Sequence, residues 1–146
     1  MSAAESESVR VTRRLAASPE RVFKAWADPA LLRRWFAPIA QADARPGGRF
    51  RLEASSPEGA HVVIGEYREF IPGRRIVMTW VYEGPMIPVG KMEALLTVEF
   101  RQDGSSTEIN LHHEHLTNPA YLATIRSGAW PKALDELEAL LADPST

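Results

Sequence analysis

The 146-residue sequence contains no cysteine. That absence removes disulfides, thiolate nucleophiles and cysteine metal sites, and it predicts a reducing, cytoplasmic setting. Long apolar runs are missing too. Nowhere do about eighteen apolar residues follow one another, so the sequence offers no transmembrane helix and predicts no membrane partner. Neither sign of charge dominates: 17 Lys and Arg stand against 19 Asp and Glu, and the arginines are scattered. A net charge of −2 without a basic stripe argues against nucleic acid or an anionic surface as the main partner. Internal repeats are absent. Met1 to Ser8 has neither the basic start nor the apolar core of a secretory signal and is expected to be a disordered tail, with a second tail over 143–146. A Ser-His-Asp order, a glycine-rich phosphate loop and a paired-carboxylate signature are all lacking, so no catalytic residue is assigned. The only glycine pair, Gly47-Gly48, stands at a strand start and serves a turn.

What is present is patterning. The length suits one domain, here 9–142, large enough to bury about two-thirds of its unfolded surface and still leave an internal cavity. Val9 to Leu15 alternates as a first strand. Ser18-Pro19 and Asp28-Pro29 each place a capping side chain before a proline at the first helical position, opening two short helices. The first carries Val22, Phe23 and Trp26, the second Leu31, Leu32, Trp35 and Phe36. After the Pro46-Gly47-Gly48 turn come strand-like runs over Arg49–Glu53, His61–Ile71, Arg75–Glu83, Met92–Arg101 and Thr107–Leu116. Short turns between them predict an antiparallel meander.

Asn118-Pro119 then opens a helix of about six turns ending at Leu141. On a helical wheel Leu122, Ile125, Ala129, Trp130, Ala133, Leu134, Leu137, Leu140 and Leu141 fill one half, so this helix lies on a large apolar surface. Arg126 falls inside the same half. Either its stem reaches the solvent rim, or its guanidinium reaches a pocket mouth and pairs with an anionic group. Pro131 and Gly128 predict a bend near Gly128.

The order strand, two helices, strands, long helix is joined by several motifs. They are Ser18-Pro19-Glu20-Arg21-Val22-Phe23-Lys24-Ala25-Trp26, Leu32-Arg33-Arg34-Trp35-Phe36, Pro46-Gly47-Gly48-Arg49-Phe50, Gly65-Glu66-Tyr67-Arg68-Glu69-Phe70-Ile71-Pro72, and Gly128-Ala129-Trp130 with Leu134 and Leu137. From Val9 to Leu141 the chain resembles the START/Bet v 1-like (SRPBCC) superfamily, and within it is similar to the branch named after the C-terminal domain of the activator of Hsp90 ATPase. The resemblance implies an α+β helix-grip fold, in which a seven-stranded curved antiparallel sheet wraps a long C-terminal helix and leaves a cavity. Many relatives hold hydrophobic small molecules there, and a few perform chemistry such as polyketide cyclisation; for this chain no obligatory cofactor is expected. The leading expectation is therefore a binding protein for a mainly hydrophobic small molecule. The alternatives are a cyclase- or hydratase-like enzyme in the same cavity, or an Hsp90-type chaperone partner acting through its surface. The last ranks lowest, because the eukaryotic activator also has a separate N-terminal chaperone-binding domain for which 146 residues leave no room. Monomer and homodimer are both open.

Alternation groups Met78, Trp80 and Tyr82 on one strand face, Leu96, Val98 and Phe100 on the next, and Ile109, Leu111, His113 and His115 on the last. Glu69 is placed on one face with Tyr67 and Gly65. The expected ligand-binding residues are Tyr67, Glu69, Met78, Trp80, Phe100, Leu111, His113, Arg126 and Trp130, with Glu69, His113 or Tyr67 as proton-transfer groups under the enzyme alternative. The run His112-His113-Glu114-His115 invites a metal reading, but a site needs a third ligand and His61 is the only other histidine. No metal is expected; a buried, hydrogen-bonded histidine at the pocket wall is expected instead, and the resemblance points to His113, because relatives tend to carry a histidine at the end of this strand.

Overall fold

The computed structural model describes residues 7–87 and 91–143. Most of the two expected tails, and part of the connection between the runs Arg75–Glu83 and Met92–Arg101, lie outside the described residues. Seven strands form one antiparallel sheet: β1 (Val9–Leu15), β2 (Ile39–Ala42), β3 (Arg49–Ser56), β4 (Gly59–Ile71), β5 (Arg75–Glu83), β6 (Met92–Asp103) and β7 (Ser106–Glu114). Their spatial order is β1-β7-β6-β5-β4-β3-β2, a meander from β2 to β7 that β1 closes at one edge. Between β1 and β2 lie α1 (Pro19–Ala27) and α2 (Pro29–Trp35), whose caps Ser18 and Asp28 accept from Arg21 and Ala30 N–H. This is the helix-grip architecture.

Strand β2 escaped the sequence reading because of its four residues only Ala40 is buried, which is too short for an alternation to appear. At the N-terminus Glu7 is anchored: its carbonyl accepts from Leu116 N–H at 2.9 Å.

The C-terminal helix runs from Asn118, whose side chain accepts from Ala120 and Tyr121 N–H, to Leu141, but in pieces. An α-helix α3 (Pro119–Thr124) widens into a π-type turn over Ile125–Ala129, and α4 (Trp130–Leu141) follows. The bend is where it was expected, and sharper. Gly128 has φ 116° and ψ 21°, outside the helical region. Pro131 therefore does not strain a continuous helix; it sits in the first turn of α4, where a missing N–H costs nothing. Gly128 makes the break and Pro131 starts the next segment.

The helices divide the concave face of the sheet into two halves. In one, α1 presses Phe23 edge-on against Phe70 and Phe100, with Tyr67 packed on Phe50 and Phe70. Met78 and Leu111 are buried in the same layer. In the other half all four tryptophans meet around Phe36: Trp26 lies against Trp35 and Trp130, and Phe36 against Trp80 and Trp130. The Trp35 indole donates to Ala25 carbonyl at 2.8 Å, holding the two short helices together.

Candidate ligand cavity

Under the broken part of the C-terminal helix lies a cavity of about 220 Å³. Register builds its floor. Leu52 pairs with Val63 and Val63 with Tyr82, so three strands present one row of side chains, with Trp80 two residues along. Phe36 and Ala37, just past α2, close one end. The roof is Tyr121 and Thr124 from α3, Ile125 and Ala129 from the π-type turn, and Trp130 and Ala133 from α4. A continuous helix would carry these residues along one straight stripe; the break lets the roof arch over the floor. The exposed Thr124 and half-buried Met86 meet across the mouth, Oγ1 to Sδ at 3.4 Å.

The lining is mostly apolar and its few polar groups are ordered. Trp80 Nε1 donates to the Tyr121 hydroxyl at 2.9 Å. The Tyr82 hydroxyl lies 2.7 Å from His61 Nδ1, and His61 Nε2 lies 2.8 Å from Ser56 Oγ. Ser56 in turn donates to Glu58 at 2.9 Å. Burial raises the Tyr82 phenol above its usual range and pushes Tyr121 up to about 12, so both stay protonated at neutral pH. Glu53 is on the lining with Arg51 at 3.5 Å.

Of the residues expected to bind a ligand, Trp80 and Trp130 line this cavity. Tyr67, Met78, Phe100 and Leu111 are buried in the solid half of the core. Tyr67 keeps a buried hydroxyl without a hydrogen-bond partner among the described residues, and burial pushes its phenol up to about 12. His113 stands behind the cavity wall. Trp130 Nε1 donates to its Nδ1 at 3.1 Å, and its ring packs edge-on against Trp80 and Trp130. An indole N–H only donates, so Nδ1 is bare and the imidazole proton is on Nε2, itself unpartnered among the described residues. Burial holds the pKa of His113 down to about 3.

Two face assignments change. A β-bulge between Tyr67 and Glu69 shifts the register by one residue, so Phe70 turns toward the core and Glu69 outward, where it pairs with Arg75 at 3.0 Å. Strand β7 ends at Glu114, and His115, at φ 60°, is exposed and does not share a face with His113. Arg126 is likewise exposed, turned outward in the π-type turn and away from the lining. Among the described residues no three metal-ligating side chains gather closely enough to hold an ion. None of Glu69, His113 and Tyr67 lines the cavity. The cavity is lined instead by Tyr82, His61 and Tyr121, with Glu53 and Thr124. Sequence reasoning placed Tyr82 on the inner face but missed its partner. His61 comes close only through the β4–β5 register, and Tyr121 lies one position outside the apolar stripe that a regular helix would present.

Comparison with known proteins gives one family and many solved structures of the same fold. A model of the Activator of Hsp90 ATPase homolog 1-like protein family matches residues 16–142. Among solved structures, CalU16 from Micromonospora echinospora is 28% identical with a TM-score of 0.73, covering 94% of this chain and 77% of that one. Protein CV1439 from Chromobacterium violaceum is 25% identical with a TM-score of 0.77, covering 94% and 99%. A protein from Rhizobium leguminosarum is 25% identical with a TM-score of 0.76, covering 92% and 93%. No protein of curated function matches significantly. No helix among the described residues is long and apolar enough to cross a membrane. With the helix-grip fold and most of the chain matched, the protein belongs to the Activator of Hsp90 ATPase homolog 1-like family, whose fold is of a ligand-binding type.

Proposed function

We propose that this chain binds a mainly apolar small molecule of one or two rings in the cavity between β3–β5 and the C-terminal helix. The observation that carries the reading is the cavity: about 220 Å³, walled by Phe36, Trp80, Trp130 and aliphatic side chains, with its polar groups confined to a few positions. A dry apolar cavity of about 150 Å³ is enough for benzene, so this one suits a somewhat larger guest. Burying about 160 to 280 Å² of apolar ligand surface contributes about 4 to 7 kcal/mol, placing Kd between roughly 1 mM and 10 μM before specific polar contacts.

The tryptophans supply the assay, because all four pack in one cluster and two of them line the cavity. Naphthalene is expected to change the tryptophan emission saturably and to be retained in equilibrium dialysis. Native mass spectrometry of protein purified from its own host, followed by denaturing extraction, identifies the natural guest. Absence of both emission change and retention at the solubility limit of naphthalene would exclude the reading.

A further inference from the structure

Beside Glu53, His61 and Thr124, the polar part of the mostly apolar lining is a place where two phenols meet. Tyr82 and Tyr121 have ring centroids 4.5 Å apart, both are buried, and both line the cavity. Their hydrogen bonds leave them with opposite offers to a guest. Tyr121 oxygen already accepts the Trp80 indole proton at 2.9 Å, while its own proton has no acceptor among the described residues. Tyr121 is therefore a donor in waiting.

For Tyr82 the direction is set from outside. Glu58, held ionised by the Ser56 hydroxyl, can only accept, so the single Ser56 proton goes to it. Ser56 Oγ must then accept from His61 Nε2–H at 2.8 Å. That fixes the neutral His61 as the tautomer with a bare Nδ1, which takes the Tyr82 proton at 2.7 Å. Every proton in the chain points along it toward Glu58, and none is offered by Tyr82 to a guest. The Tyr82 oxygen is left as an acceptor, engaged among the described residues only by a long contact from Met86 N–H at 3.4 Å. Gly84 permits this arrangement, since a Cβ there would stand 2.5 Å from the Tyr82 hydroxyl.

We propose that Tyr82 and Tyr121 form a recognition site for a neutral hydroxyl group on an aromatic ligand, the Tyr82 oxygen accepting the ligand's proton and the Tyr121 hydroxyl donating to its oxygen. His61, Ser56 and Glu58 are positioning residues that fix the polarity of Tyr82. A hydroxyl is the group that matches, because it donates and accepts from one atom. An ether satisfies only Tyr121 and a hydrocarbon satisfies neither, while a carboxylate would bring a charge into an apolar site against the Tyr82 lone pair. This inference rests on the cavity being the binding site.

The test uses three probes of one shape, β-naphthol, its methyl ether and naphthalene, with Kd measured by equilibrium dialysis. Water favours β-naphthol most, so an indifferent apolar pocket would bind it least. The wild-type protein is expected to bind β-naphthol at least tenfold more tightly than naphthalene, with the ether between them. The readout is the naphthol-to-naphthalene affinity ratio within each protein, so a general loss of stability does not imitate the effect. Tyr82→Phe and Tyr121→Phe should each lower that ratio at least fivefold. His61→Phe should narrow the gap between β-naphthol and its ether, because the Tyr82 proton is then free to turn inward. Naphthalene binding with no preference for β-naphthol, or a preference intact in both tyrosine variants, would overturn the hydroxyl site and leave the cavity reading standing. If none of the three probes binds, both fall.

Discussion

Gly128→Ala offers a test in which the sign of the result decides. In an ordinary helix interior, replacing Gly by Ala stabilises by about 1 kcal/mol, because Ala has the higher helix propensity and glycine loses more backbone entropy on folding. Here Gly128 sits at φ 116° in the break between α3 and α4, a region that L residues rarely adopt. A Cβ at this position meets no atom within 4 Å, so the effect is conformational and not steric crowding. Backbone strain of this kind costs about 1 to 3 kcal/mol, offset by about 0.4 to 1 kcal/mol from stiffening the unfolded chain. The net expectation is a loss of about 1.5 kcal/mol. For a domain of this size that lowers Tm by about 4 to 5 °C at about 3 °C per kcal/mol. Urea unfolding followed by circular dichroism, with the slope against denaturant held common, measures it directly. Gly128→Asn should lose less than Ala, since Asn tolerates positive φ better. A Gly128→Ala protein as stable as wild type, or more so, would mean that the helix runs straight through this point. The arched roof of the cavity would then be wrong.

Three further outcomes are expected. Trp130→Ala removes a buried ring packed on Trp26, Phe36 and Trp80 together with the donor to His113, and should cost about 3 to 5 kcal/mol; a melt within a degree or two of wild type would place that ring in solvent. His113 has a folded pKa of about 3 against an ordinary 6.5, so below pH 6.5 the unfolded chain binds a proton that the folded one refuses. Its contribution is complete above about pH 6.5 and falls by about 1.4 kcal/mol per unit as pH drops toward 3. His113→Gln, which can still accept from Trp130, should flatten that slope in urea titrations between pH 6 and about 4, and an unchanged slope would contradict the burial of this imidazole. Gly84→Ala pushes a methyl group against the Tyr82 hydroxyl and should lower stability by about 1 to 3 kcal/mol. Combining it with Tyr82→Phe, which removes the clashing oxygen, should recover part of the loss, and full additivity of the two would locate the clash elsewhere.

The elements of this fold were legible in the chain because they depend on local chemistry. Ser18, Asp28 and Asn118 cap helices that begin with proline, and strand-like runs mark six of the seven strands. The apolar stripe of the C-terminal helix announced a sheet to lie on, and Trp80 and Trp130 were identified as wall residues from alternation and the wheel alone. Local chemistry also located the bend, though not its form: only the folded chain shows Gly128 leaving the helix and Pro131 starting a new one. Other features could not be read locally. Alternation assumes an unbroken ladder, and the bulge between Tyr67 and Glu69 reverses the parity, sending Glu69 outward to Arg75. A helical wheel assumes a regular helix, and the π-type turn rotates Arg126 out and accompanies Tyr121 into the roof. The pairing of His61 with Tyr82 spans 21 positions and exists only because β4 and β5 take one register out of several that would bury the same residues. Sequence periodicity determines which side of an element meets the core. Which side chains then meet one another is a property of register and of the defects in it, and here those defects shape the cavity.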